Sequence, residues 1–101
     1  MTEGDAAQVL EKLYQRLLER RQADPAHSYV ARLYQQGEDR ILQKVGEEAI
    51  ETILAAKGGR RDTIINETAD LWFHCLVMLA WQQIPPEQVV QELARRFDRG
   101  R

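Results

Sequence analysis

Between Asn66 and Trp81 the chain reads NETADLWFHCLVMLAW, a stretch whose apolar side chains take up nearly the whole circumference of a helix. Only Glu67, Asp70 and His74 interrupt it as acidic or titratable groups. A helix that is apolar on every side has to be buried, so a segment from about Thr63 to Gln82 is expected to form the centre of a larger helical assembly. It is too short an apolar run to cross a bilayer. Glu67 and Asp70 lie three residues apart and share one side of the helix, with Leu71, Val77, Met78 and Trp81 near the same face. Buried carboxylates need partners. Left alone they cost several kcal/mol or take up a proton, so they are normally neutralised by basic side chains or by a metal ion.

The remaining segments can supply the rest of that assembly. Val9, Leu10, Leu13, Tyr14, Leu17 and Leu18 recur at helical spacing and predict an amphipathic helix over Ala6–Arg21, with Asp5 and Gln8 placed as a capping box. ADPAHS breaks the pattern, and Ser28 can then cap a short helix through Val30, Leu33 and Tyr34 that Gly37 closes. From Glu38 to Lys57 the residues Ile41, Leu42, Val45, Ile50, Ile53 and Leu54 keep a helical rhythm until Gly58 and Gly59 stop it. Asp62 is placed to cap the apolar helix, and Pro85 and Pro86 end it. Pro86 fits the first turn of a last helix carrying Val89, Val90, Leu93 and Phe97, beyond which DRGR is expected to fray. No strand pattern or internal repeat interrupts this order. The expectation is an all-α bundle of four longer helices and one short one.

A chain of 101 residues, 44% hydrophobic and 30% charged, has the size of one domain, with a core over about residues 6–97. So small a helical domain buries roughly two thirds of its unfolded surface at most, and it gains core by pairing with a second copy of itself. A net charge of −2 gives no broad footprint for nucleic acid or an anionic membrane. The locally basic ELARRFDRGR has no aromatic interleaving and no groove-reading motif. Cys75 is the single cysteine, which excludes an intramolecular disulfide and suits a reducing, cytoplasmic setting. The opening MTEGDAAQVL lacks the basic start and apolar run of a secretory signal.

A second acidic group lies in KVGEEAIETI, Lys44 to Ile53. At about 100° per residue, Lys44, Glu47, Glu48 and Glu51 fall in one sector, opposite Val45, Ala49, Ile50 and Ile53. On that helix alone the simpler expectation is a solvated acidic face with the apolar side turned to the core. The neighbouring helix offers another arrangement. Fifteen residues separate Glu51 from Glu67, enough to finish one helix, turn and begin its antiparallel partner. Glu48 and Glu51 can then face Glu67 and Asp70. Four converging carboxylates must hold cations, and an all-oxygen set selects Mg²⁺ or Mn²⁺ over Zn²⁺. Such an ion leaves room for phosphate oxygens and an activated water. Glu47, turned slightly aside, is a candidate general base or supporting group, and Lys44 a point charge for phosphate. The competing arrangement neutralises Glu67 and Asp70 with Arg40, Lys44, Lys57, Arg60 or Arg61.

EEAIE at Glu47–Glu51 followed by ETAD at Glu67–Asp70 resembles the EExxE, spacer, ExxD pattern of the MazG-type all-α nucleotide pyrophosphohydrolases. SYVARLYQQGEDRILQKVGEEAIETILAAK, Ser28 to Lys57, followed by ETADLWFHCLVMLAW, is similar more narrowly to the phosphoribosyl-ATP pyrophosphatase family, over about Val9 to Phe97. That resemblance implies a MazG-like helical bundle completed as a homodimer. It also implies Mg²⁺-dependent hydrolysis of phosphoribosyl-ATP to phosphoribosyl-AMP and pyrophosphate, the second step of histidine biosynthesis, at the α/β phosphoanhydride. By the family's pattern Glu48, Glu51, Glu67 and Asp70 would be metal ligands with Glu47 close by. Lys44 would meet phosphate, and Ser28, Tyr29 and Arg32 would lie near the substrate. Trp72 and Phe73 stand where the family has smaller aliphatic residues. The alternatives are a related hydrolase of noncanonical nucleoside triphosphates, and a non-catalytic helical dimerisation module.

Other side chains carry a plainer expectation. His74 is expected to be a satisfied core histidine before an orienting group for a carboxylate. Trp72 and Trp81 are expected to pack before they stack on a base. Arg60 and Arg61 are expected to lie in a solvated turn.

Overall fold

The computed structural model describes residues 5–98, and they form helices joined by short turns. α1 spans Ala6–Glu19, a short 3₁₀ turn spans Arg20–Gln22, α2 spans Tyr29–Gln36, α3 spans Glu38–Gly58, α4 spans Arg61–Gln82 and α5 spans Pro86–Asp98. The all-α expectation of four longer helices and one short one is met. Most of the expected frayed tail, residues 99–101, lies outside the described residues.

Local chemistry explains the boundaries. The Asp5 carboxylate accepts the Gln8 backbone N–H at 2.9 Å, and the Ser28 hydroxyl accepts that of Ala31 at 3.2 Å, so each starts its helix as a side-chain cap. Gly37 ends α2 and begins α3 at φ 101°, and Gly59 ends α3 in the left-handed conformation at φ 78°. Both are positions that favour glycine. One expected cap is wrong. α4 begins at Arg61 after Arg60, which makes no side-chain cap bond, and Asp62 sits inside the first turn, where its charge complements the helix dipole instead.

The core is made by α1, α2, the start of α3 and the end of α4. Tyr14, Leu17, Val30, Leu33, Ile41, Leu76, Val77 and Ala80 are buried there together. Arg21 reaches this end of α4 and donates to the carbonyl of Trp81 at 3.0 Å, while its guanidinium lies 4.9 Å from the Tyr34 ring centre and 5.4 Å from that of Trp81. Tyr34 and Trp81 stack, and the Tyr34 hydroxyl donates to the Leu17 carbonyl, which ties α1, α2 and α4 to one another. Trp81 packs as expected.

α4 is buried only in its C-terminal half. His74, Leu76, Val77 and Ala80 are enclosed, whereas Ile65 is 57% exposed and Trp72 61% exposed. The expectation of a fully buried helix, and of Trp72 as core, therefore fails within one chain. α3 and α4 run antiparallel as a pair that projects beyond the core. The Gln82 amide donates to Glu38 at one end and the Thr52 hydroxyl reaches the Glu67 carbonyl nearer the turn. α5 packs on α1, with Leu93 and Phe97 open to solvent.

Candidate active site

The site is the inner surface of the α3–α4 pair, where the two acidic groups meet. Glu48 is buried to 6% exposure, which reverses the expectation that the acidic sector of α3 is solvated and its apolar sector faces the core. Ile50, Ile53 and Leu54 are the exposed side, at 60%, 66% and 66%. The reason lies in packing rather than in the amphipathic pattern. α3 buries Ile41 and Ala55 against its neighbours, and those two residues set a rotation that carries Glu48 inward.

The four expected ligand residues form two overlapping sets rather than one point. Carboxylate oxygens of Glu48, Glu51 and Glu67 all lie within 4.8 Å of one another, and so do ligand atoms of Glu48, Asp70 and His74. Glu48 belongs to both. Its Oε2 is 3.4 Å from the Lys44 ammonium, but its Oε1 is buried with no hydrogen-bond partner, and Glu67 Oε1 is in the same position. Buried oxygens without donors are rare, because each forfeits its hydration for nothing. Burial first, and then the charges of Glu51, Asp70 and Glu48, push the Glu67 pKa up. Beyond the Lys44–Glu48 pair, salt bridges do not neutralise this group. Among the described residues no Lys or Arg pairs with Glu51, Glu67 or Asp70, and Arg60 and Arg61 lie exposed at the turn. A hard divalent cation fits what is present: oxygen donors from the three carboxylates of Glu48, Glu51 and Glu67, two of them with an orphaned buried oxygen.

Basic groups flank one side. Lys44 Nζ stands 3.3 Å from Glu47 Oε1, and Arg40 is 3.7 Å from Glu47 Oε2, to which the Gln43 amide also donates at 3.1 Å. Burial alone would lower the Lys44 pKa, but the bonds to Glu47 and Glu48 and the neighbouring Tyr29 outweigh it and raise it, so the ammonium stays charged. Glu47 belongs to neither cation set and is held among Arg40, Gln43 and Lys44.

The N-terminus of α2 closes the site. The Ser28 hydroxyl is buried and engaged as the helix cap, and Arg32 is exposed, donating to the Pro25 carbonyl at 2.9 Å. The Tyr29 hydroxyl lies 2.8 Å from His74 Nε2, and His74 Nδ1 lies 2.8 Å from the Asp70 carbonyl oxygen. His74 is thus a satisfied buried histidine, as expected, and it touches the backbone of Asp70 rather than its carboxylate.

Thr52 was not legible as a site residue. Its hydroxyl is 2.8 Å from the Glu48 carbonyl and 3.1 Å from the Glu67 carbonyl, joining the backbones that carry the two acids with an orphaned buried oxygen. The available signal was a hydroxyl in mid-helix one residue from Glu51, since such a group bonds back to the preceding turn and is free to reach a neighbouring helix.

The chain as a whole is similar to known proteins. Residues 10–97 match the phosphoribosyl-ATP pyrophosphohydrolase family. A phosphoribosyl-ATP pyrophosphatase of Nitrosomonas eutropha is 54% identical over 88 residues, which cover 87% of this chain and 75% of that protein. Those of Methylococcus capsulatus and Geobacter sulfurreducens are each 52% identical over 89 residues, covering 88% of this chain and 85% and 82% of theirs.

Proposed function

Because the chain belongs to the phosphoribosyl-ATP pyrophosphohydrolase family, we propose that it hydrolyses phosphoribosyl-ATP to phosphoribosyl-AMP and pyrophosphate at the α/β phosphoanhydride, as a step of histidine biosynthesis. The whole chain acts as one domain. Glu48, Glu51, Glu67 and Asp70 hold Mg²⁺, or Mn²⁺ in its place, because oxygen-only donors suit hard ions. When bound, the ion neutralises phosphate charge and makes an attacking water more acidic. The observation that carries this reading is the pair of buried, unpartnered oxygens, Glu48 Oε1 and Glu67 Oε1, on facing helices.

The chain's own groups supply the rest. Lys44 meets a phosphate oxygen as a compact point charge, and Glu47 keeps its ammonium in place while standing outside the ligand sets. Thr52 holds α3 and α4 in the register that brings Glu48 and Glu67 together. Tyr29, Arg32 and Ser28 form the end of the site that receives the nucleotide. A general base is supplied by a carboxylate of the acidic group, Glu47 being the one that belongs to neither cation set.

The functional unit is a homodimer. Ile50, Ile53 and Leu54 on α3, and Ile65 and Trp72 on α4, are exposed large apolar side chains, and Ile64, Ile65, Thr68, Ala69 and Trp72 line a shallow apolar groove on α4. Apolar surface of that kind marks an interface. A second copy laid over it buries the half of α4 that one chain leaves open. Among the described residues no helix is long and apolar enough to cross a membrane, which suits a cytoplasmic enzyme.

Pyrophosphate release from phosphoribosyl-ATP, compared with a panel of ordinary and modified nucleoside triphosphates at matched Mg²⁺, tests the assignment. Preferred hydrolysis of phosphoribosyl-ATP, lost on chelation, is the expected result. Preference for the panel would reject it.

A further inference from the structure

The hydrogen-bond chain that runs from Tyr29 through His74 to the backbone of Asp70 has a direction, and the direction follows from its fixed end. A carbonyl oxygen only accepts, so the 2.8 Å contact between His74 Nδ1 and the Asp70 carbonyl puts a proton on Nδ1. When the ring is neutral Nε2 is then an acceptor, and the Tyr29 hydroxyl 2.8 Å away donates to it. The ring has little room to do otherwise. His74 is 5% exposed and meets two rings edge-on, Tyr29 with ring centres 5.7 Å apart and Phe73 at 5.2 Å.

The consequence concerns what Tyr29 offers to a ligand. A tyrosine hydroxyl has one proton and two lone pairs. With the proton committed to His74, only lone pairs remain for the open side, where the side chain is 39% exposed at the start of α2 and close to Lys44, Arg40, Glu48 and Asp70. Burial holds the Tyr29 pKa above its ordinary value, so the proton is retained. An oxygen that offers lone pairs repels a phosphate oxygen and attracts an O–H.

We propose that His74 is a positioning residue that fixes the polarity of Tyr29, making its hydroxyl a hydrogen-bond acceptor for an O–H group brought into the site, either a sugar hydroxyl of the substrate or the attacking water, and never a phosphate contact. This rests on the nucleotide-hydrolase reading above, but its first test needs no substrate.

That test is the long-range ¹H–¹⁵N spectrum of the full, uniformly labelled chain. The protein has two histidines, so the signals of His74 are those lost in His74→Gln. Protonated Nδ1 with unprotonated Nε2 is expected; a protonated Nε2 overturns the proposal whatever the substrate proves to be. The kinetic arm follows. Tyr29→Phe should lower kcat/KM about three- to tenfold, the loss of one neutral hydrogen bond. A loss carried by KM at constant kcat identifies a substrate hydroxyl, and a loss carried by kcat at constant KM identifies the water. His74→Gln keeps an acceptor near the position of Nε2 and should retain most of the native rate, whereas His74→Leu should fall as far as Tyr29→Phe, with no additional loss in the double variant. Equal losses in His74→Gln and His74→Leu, or additive losses in the double variant, would mean that His74 only supports the fold. Should His74→Leu fail to fold, the comparison of His74→Gln with Tyr29→Phe and the ring spectrum still decide.

Discussion

On the two faces of α3, Glu48 and Ile53 exchange the places that their chemistry suggests. Glu48, on the acidic face, is 6% exposed, while Ile53, on the apolar face, is 66% exposed. Burying a carboxylate costs free energy and exposing isoleucine forgoes it, so a helix rotated this way must recover both elsewhere. In the proposed function the acidic face recovers its cost by binding cations against α4, and the apolar face by meeting a second copy of the chain. The difference teaches that an amphipathic pattern identifies two faces but not which one turns inward, because that is decided by what each face meets.

The largest effects are expected on the acidic face. Glu48→Gln, Glu67→Gln or Asp70→Asn should abolish measurable pyrophosphate release, a loss beyond the roughly 10–100-fold that removal of a supporting group produces. Circular dichroism should stay helical, because an amide replaces each acid at nearly constant volume. Native activity in any of the three would remove that residue from the ligand set.

On the apolar face, Ile53→Asp should leave the monomer folded and weaken self-association by about 10²-fold or more, since it places an unpaired charge in the proposed interface. Light scattering over a concentration series reads the change. An unchanged assembly would put the interface elsewhere on the molecule, with α5 and its exposed Leu93 and Phe97 as the next surface to consider.

A smaller effect tests the link between the helices. Thr52→Val keeps the shape and removes the hydroxyl that reaches both the Glu48 and Glu67 carbonyls. It should cost about 1 kcal/mol of stability by the scale of one hydrogen bond, and weaken Mg²⁺ activation about tenfold by the scale of a supporting contact. Activation unchanged at reduced stability would make Thr52 a packing residue only.

The smallest expected effect is the pH dependence of the chelated protein. Burial and the neighbouring carboxylates raise the Glu67 pKa above its ordinary 4.5. As pH rises from that ordinary value, the unfolded chain gives up the Glu67 proton before the folded one does. Stability from this group is therefore present at low pH and is lost as pH climbs through the raised folded value. Thermal midpoints of the chelated protein should fall across that window, and Glu67→Gln should flatten the fall. The same slope in both proteins would assign it to other groups.

Much of this was legible in the sequence, and the failures share a cause. Helix order and most boundaries follow from apolar spacing, from Ser28 and Asp5 as caps, and from Gly37 and Gly59, because these are local effects. Glu48, Glu51, Glu67 and Asp70 were legible as a group because their spacings place them on the facing sides of one helical hairpin. The orientation of α3 was not legible, since burial of Ile41 and Ala55 depends on neighbours outside the helix. The exposure of Trp72 and Ile65 was hidden for the same reason, as composition treats every apolar side chain as core. Asp62 looked like a cap because Asp is a good one, yet the turn after Gly59 brings Arg60 to that position. The division of the four acids into two sets sharing Glu48, and the direction of the Tyr29–His74 bond, depend on distances that no spacing rule contains.

Calorimetric titration of the chelated protein with Mg²⁺, run on the native chain and on Glu48→Gln, tests most directly whether α3 turns its acids inward to hold a cation. Saturable binding to the native chain, weakened by about 10²-fold or more in Glu48→Gln, is the expected result. Absence of saturable binding, or the same binding in both proteins, would contradict it.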